Sequence, residues 1–145
     1  MRSLLAKAAE YGVDVHVHVL PGRKRGIYDH ELKRIWLTPR LTWVEQRSTL
    51  AHEIGHVHYG HDCSRPEYER QARRFAATLL IDPVEYARLE RINPDQHWLA
   101  DEFSVEPRII FDFEAFCLQR LRGVTYARPR MGIGQWAHRL EPAWP

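Results

Sequence analysis

A chain of 145 residues with 44% hydrophobic content and a net charge of only +2 has the size of one compact domain, since single cores occupy about 100 to 150 residues. No stretch approaches the roughly 18 apolar residues of a helical membrane span, and the opening MRSLLAKAAEYGVDV has no apolar run of signal-peptide length. A soluble, cytoplasmic protein is expected, and two cysteines, Cys63 and Cys117, are too few and too far apart for a disulfide framework and read as free thiols.

In chain order, residues 3 to 11 have the pattern of a short amphipathic helix. It is closed by Gly12, which suits the positive φ past a helix end. VDVHVHVL alternates strictly, with Val13, Val15, Val17 and Val19 on one face and Asp14, His16 and His18 on the other, which predicts a half-buried strand. His16 and His18 share a face, and polar alternation makes them a solvent-facing pair. PGRKRG turns the chain, IYDHELKR supplies a second strand and RIWLT a third, so a small antiparallel sheet is expected.

From Thr42 to about Tyr59 the period becomes helical, with Trp43, Leu50, Ile54 and Val57 in one stripe roughly 60° wide. A loop leads to a second helix, Glu67 to Leu80. It stops at IDP, where Pro83 disfavours helix at Asp82 and Asp82 is placed to cap the next helix. Further helices are expected over 83–91, 95–103 and 107–121. The fold class is α+β: a small antiparallel sheet, a histidine-bearing helix, and a mainly helical C-terminal half.

The stretch STLAHEIGHVHYGHDC carries the chemistry. His52 and His56 are four residues apart, so on a helix they lie one turn apart and about 40° round, and both reach one ion. The apolar stripe lies on the opposite side, which divides the helix into a packing face and a ligand face. Glu53 sits beside the ion and is placed to take a proton from water. This is the HExxH arrangement of zinc peptidases, and a catalytic site of that kind needs a third protein ligand. Asp62 follows His56 at a spacing some such enzymes use, but Tyr59 stands where they need a glycine, so Asp62 is a possible alternative ligand only. On the second helix Glu69 borders the apolar stripe, whereas Glu67 points about 160° away, which favours Glu69. The bland reading of Glu69 is a surface pair with Arg73 one turn on.

STLAHEIGHVHYGH, followed by ERQARRFAATLLIDP, resembles the ImmA/IrrE family of metallo-endopeptidases over roughly residues 10 to 120. The resemblance implies a minimal gluzincin-like fold with a zinc ion held by His52, His56 and Glu69 and with Glu53 as catalytic base. It further implies a protein substrate, a helix-turn-helix type transcriptional repressor whose cleavage relieves repression of mobile-element, phage or stress genes. A single metallopeptidase domain over 1–125 and a basic tail over 126–145 are expected on this basis. Neither composition nor spacing selects an oxyanion donor among His58, Tyr59, His61 and Tyr68.

WLADEFSVEPRIIFDFEAFCLQRL, within 95–121, has the layout of a helix-turn-helix. The alternative function is therefore a DNA-binding or partner-binding regulatory protein with a structural zinc and no proteolysis. Between Asp95 and Glu114 there are six acidic residues and one arginine. With Asp112 and Glu114 expected on the exposed face of the second helix, phosphate repulsion argues against nucleic acid. No membrane partner is expected.

Overall fold

The computed structural model describes residues 1–118. The basic tail, the end of the helix expected over 107–121 and the domain limit at 125 lie outside the described residues. Helix α1, Arg2–Glu10, buries Leu4 and Ala8 and turns at Gly12, whose φ is +70°. Three short strands follow: β1, Asp14–Val17; β2, Gly26–Asp29; and β3, Arg34–Leu37, in the spatial order β1-β3-β2.

The sheet is mixed, which corrects the expected all-antiparallel pairing. β2 and β3 are antiparallel, with Gly26 opposite Leu37, whereas β1 runs parallel to β3, with Asp14 opposite Arg34. The tight turn after Asp29 decides this: Asp29 Oδ1 accepts from Leu32 N–H at 2.9 Å and Lys33 adopts a left-handed φ of 53°. That turn gives one edge of β3 to β2, so the link over 18–25 carries the chain past β3 and leaves β1 its other edge. Helix packing falls on β2 and β3 more than on β1. Accordingly Val13 is buried, but Val17 and Val19 are 63% and 65% exposed, against the alternation, and His16 and His18 face solvent beside Trp36.

Helix α2, Trp43–Tyr59, begins in a capping box. Thr42 Oγ1 accepts from Glu45 N–H at 3.3 Å and Glu45 Oε2 accepts from Thr42 N–H at 2.8 Å, two donors satisfied reciprocally. It ends at left-handed Gly60. Leu50 and Ile54 are fully buried as expected, whereas Trp43, in the first turn, is half exposed. Helix α3, Pro66–Leu80, packs tightly along α2. At their contact a Cβ on Gly55 would lie 2.7 Å from the carbonyl oxygen and 2.8 Å from the Cα of Ala72, so the two backbones touch. Gly55→Ala should destabilise the fold by about 1 to 3 kcal/mol, because main chain cannot yield as a side-chain tip does. A urea midpoint equal to that of the parent would show that the helices separate freely.

Asp82 caps α4, Pro83–Ile92, by accepting from Val84 N–H at 2.7 Å. Helix α5, Gln96–Phe103, and α6, Pro107–Asp112, complete the fold, and α6 runs on as a π-helical turn over Phe113–Leu118. Ile109, Ile110 and Phe113 are buried in one core with Leu50, Ile54, Ala76 and Leu80. Asp112 and Glu114 are buried too, not exposed as the helical pattern suggested. Asp112 is bound by Arg73 of α3, and Glu114 accepts from Tyr86 Oη at 2.6 Å and from Gln96. Their partners come from helices distant in sequence, which explains why the local pattern misplaced them.

Candidate metal centre

Helix α2 turns its core stripe inward and presents Thr49, His52, Glu53 and His56 to a cleft of about 490 Å³ between β2 and the start of α3. The Nε2 atoms of His52 and His56 are 3.2 Å apart. Glu69, in the first turn of α3, brings Oε2 to 3.1 Å from His52 Nε2 and Oε1 to 3.5 Å from His56 Nε2. One donor atom from each of the three residues lies within 4.8 Å of the others. Two imidazoles and a carboxylate are a donor set that suits zinc and leaves a fourth position open. Burial lowers the pKa of both histidines, that of His56 to about 4, so both are neutral near pH 7, as metal ligands must be. Partial burial pushes Glu69 upward. His56, the Ser64 hydroxyl at 3.0 Å and His52 outweigh it and hold the carboxylate below its ordinary value.

His56 is oriented by a chain of side chains that the sequence reading did not foresee. Its Nδ1 lies 3.0 Å from His61 Nδ1, and His61 Nε2 lies 2.8 Å from Gln71 Oε1. An amide oxygen only accepts, so His61 Nε2 carries a proton and His61 Nδ1 is left to accept from His56 Nδ1–H. The lone pair of His56 is thereby placed on Nε2, facing Glu69 and His52. His61 is buried and stacks on Tyr68 at 4.1 Å, which fixes its plane. From the sequence His61 is a candidate only as an oxyanion donor. The signal for its positioning role was a fourth histidine, just past the helix end, and only the bend at Gly60 shows where it points.

Glu53 is only 7% exposed, sealed against β2. A Cβ on Gly26 would fall 2.9 Å from Glu53 Oε1 and 2.7 Å from Thr49 Cγ2, so only glycine lets the strand approach so closely. Burial first, and then the charge of Glu69, raise the Glu53 carboxyl to about 8; the backbone N–H of Tyr28 and the charge of Arg108 pull the other way. In protein stripped of metal by chelation, folded Glu53 holds its proton up to about pH 8, whereas the unfolded chain releases it near 4.5. The folded state binds the extra proton between these values, so this group makes stability fall as pH rises from 4.5 to about 8. His52 and His56 act in the opposite sense, with stability lost as pH falls below 6.5. Glu53→Gln should remove the alkaline-side loss alone. Urea midpoints of both proteins from pH 5 to 8 measure it, and parallel curves would contradict it.

Asp62 is exposed, with its carboxyl lowered chiefly by a hydrogen bond with Cys63. It lines the cleft but lies outside the donor cluster. Glu67 is exposed and does not line the cleft. The surface pair of Glu69 with Arg73 does not form, because Arg73 is committed to Asp112. His58 turns away to Tyr11 Oη at 2.7 Å and stacks on Phe75 at 4.3 Å. Both cysteines are free; Cys63 is exposed in the cleft and Cys117 is buried. Arg108, which also lines the cleft, was not singled out, since nothing local relates it to residues so far back in the chain.

An HExxH helix closed by a carboxylate from the next helix, under a small sheet, defines a metallopeptidase-like domain. Residues 8–110 match the family model described as the IrrE N-terminal-like domain, a peptidase family, and the chain belongs to that family. Among solved structures the fold is similar to a Mycobacterium tuberculosis transcriptional regulator, with a TM-score of 0.61 and 17% identity over 89% of this chain. The chain spans 42% of that protein's length. No curated protein matches the sequence.

Proposed function

We propose that the chain is a zinc-dependent endopeptidase that cleaves a helix-turn-helix type transcriptional repressor and so relieves repression of mobile-element, phage or stress genes. The convergence of His52, His56 and Glu69 on one point, with the carboxyl of Glu53 beside them, carries this reading. A zinc ion held there would polarise a peptide carbonyl, acidify water and favour the ionised form of Glu53. Glu53 takes the proton from the attacking water and returns it to the leaving amine. Its seal under Gly26 keeps this carboxyl out of bulk water and its pKa near the working range. The edge of β2 that no described strand pairs with runs along the cleft at Gly26, Ile27 and Tyr28, where an extended substrate adds as a further strand.

Selectivity for a folded protein partner over unstructured peptide is part of this proposal. The test uses casein and candidate repressors encoded beside the gene. Chelator-sensitive cutting of a repressor at one or a few sites, with little casein breakdown, is the expected result. Rapid casein degradation at many sites would refute selectivity, and a failure to cut any repressor would refute the substrate assignment.

The alternative, a regulatory protein that binds DNA or a partner and holds zinc without proteolysis, draws support from the helical layout of α5 and α6. The buried acids Asp112 and Glu114 no longer argue against DNA by repulsion. The outward face of the segment 107–118 does: Phe111 and Ala115 are its exposed residues and its one arginine, Arg108, is paired with Glu106, so it offers phosphates no uncommitted cation. No sequence-specific duplex binding at physiological salt is expected. No described helix is long and apolar enough to cross a membrane.

A further inference from the structure

We infer that the cleft selects substrate segments with an acidic side chain beside the scissile bond, and that Arg23 and Lys24 read it. The inference rests on the endopeptidase reading and adds the substrate's charge to it. Four cations line the cleft: Arg23, Lys24 and Arg25 on the link entering β2, and Arg108 on α6. Two of them are already committed. Arg25 bonds Glu106 at 2.8 Å and Glu45 at 3.1 Å, and Arg108 bonds Glu106 at 3.1 Å. Arg23 and Lys24 are exposed and make no ion pair with any described residue. The acids of the cleft do not answer them: Glu69 is turned to the histidines, Glu53 is buried under β2, and Asp62 is engaged with Cys63. One end of the cleft therefore carries two uncompensated positive charges.

Their place in the chain gives that charge a function. They stand three and two residues before Gly26, the first residue of the edge strand β2. A peptide that pairs with β2 and continues past Gly26 lays its next side chains along Arg23 and Lys24. An acidic side chain gains there, a neutral one gains nothing and a basic one is repelled. A phosphate backbone is the other polyanion such cations attract. A duplex is disfavoured because the cations open onto a concave cleft and the adjoining feature is a strand edge.

The experiment incubates the zinc-loaded full chain with peptides made by digesting a cell proteome at lysine, and maps the cuts. Aspartate or glutamate should be enriched about fivefold at a fixed position near the cut, as expected for exposed ion pairs. The enrichment should vanish in the Arg23→Gln/Lys24→Gln double variant. Cuts without acidic enrichment, or enrichment that survives the double variant, overturn the inference and leave the endopeptidase reading intact. Absence of any cut counts against that reading instead. The inference is then decided by fluorescence anisotropy with zinc-loaded Glu53→Gln protein and two labelled 12-residue peptides, identical except that one carries glutamates where the other has glutamines. Tighter binding of the glutamate peptide, lost on Arg23→Gln/Lys24→Gln substitution, supports the inference. Equal binding overturns it, as does displacement of the glutamate peptide by an equal concentration of duplex DNA.

Discussion

Glu53→Gln should lower the rate of substrate cleavage by about 10³-fold while the protein keeps its fold and its zinc. Glutamine fills the same space against Gly26 and Thr49 but cannot take a proton from water, and general-base catalysis of this kind contributes about 10² to 10⁴ in rate. Because the wild-type carboxyl is buried at a cost, reflected in its pKa of about 8, a neutral amide there should not weaken the fold. Single-turnover cleavage of a substrate the parent cuts, together with elemental analysis of both proteins, provides the measurement. A variant that cuts at the parental rate would remove Glu53 from the mechanism. A variant that loses both zinc and activity would make Glu53 a structural part of the site.

Glu69→Ala should lose bound zinc, with at least a 100-fold rise in dissociation constant, while Asp62→Ala and Glu67→Ala retain one ion per chain. The distances separate them: Glu69 brings an oxygen to 3.1 Å from His52 Nε2, whereas Asp62 and Glu67 lie outside the donor cluster. His61→Phe should fall between the two. It keeps the stack on Tyr68 but removes the acceptor that holds the tautomer of His56, a change that typically costs 10- to 100-fold in metal affinity. Chelator competition gives the affinities. Zinc at 100 times its dissociation constant should stabilise the parent by about 2.7 kcal/mol, and Glu69→Ala should not respond. Metal loss in Asp62→Ala with retention in Glu69→Ala would reverse the assignment.

How much of this was legible beforehand depended on how local its cause was. Helix α2, its division into a packing and a ligand face, and the choice of Glu69 over Glu67 followed from the 3.6-residue period, because the histidines and their apolar stripe share one helix. Asp82 as a cap was equally local. The parallel pairing of β1 was not readable, since it is decided by which edge of β3 the Asp29 turn leaves free. Asp112 and Glu114 looked like surface acids because their partners, Arg73, Tyr86 and Gln96, come from three other helices. His61 was visible as a residue but not as a part, because its direction depends on the bend at Gly60.

The contact between Gly55 and Ala72 sits beside the donors on both helices: Gly55 lies between His52 and His56, and Ala72 is three residues past Glu69. The spacing of the donor triangle is therefore set by what these two positions lack. A methyl group at position 55 would act as a wedge, and a shift of about 1 Å there exceeds the roughly 0.5 Å within which a functional constellation must be held. Packing tolerates such a shift better than a set of ligands does, so zinc affinity should decline across substitutions at position 55 well before the chain stops folding. Drift in a lineage of this domain would then show as silent, metal-poor copies of an intact fold, with no ligand residue changed.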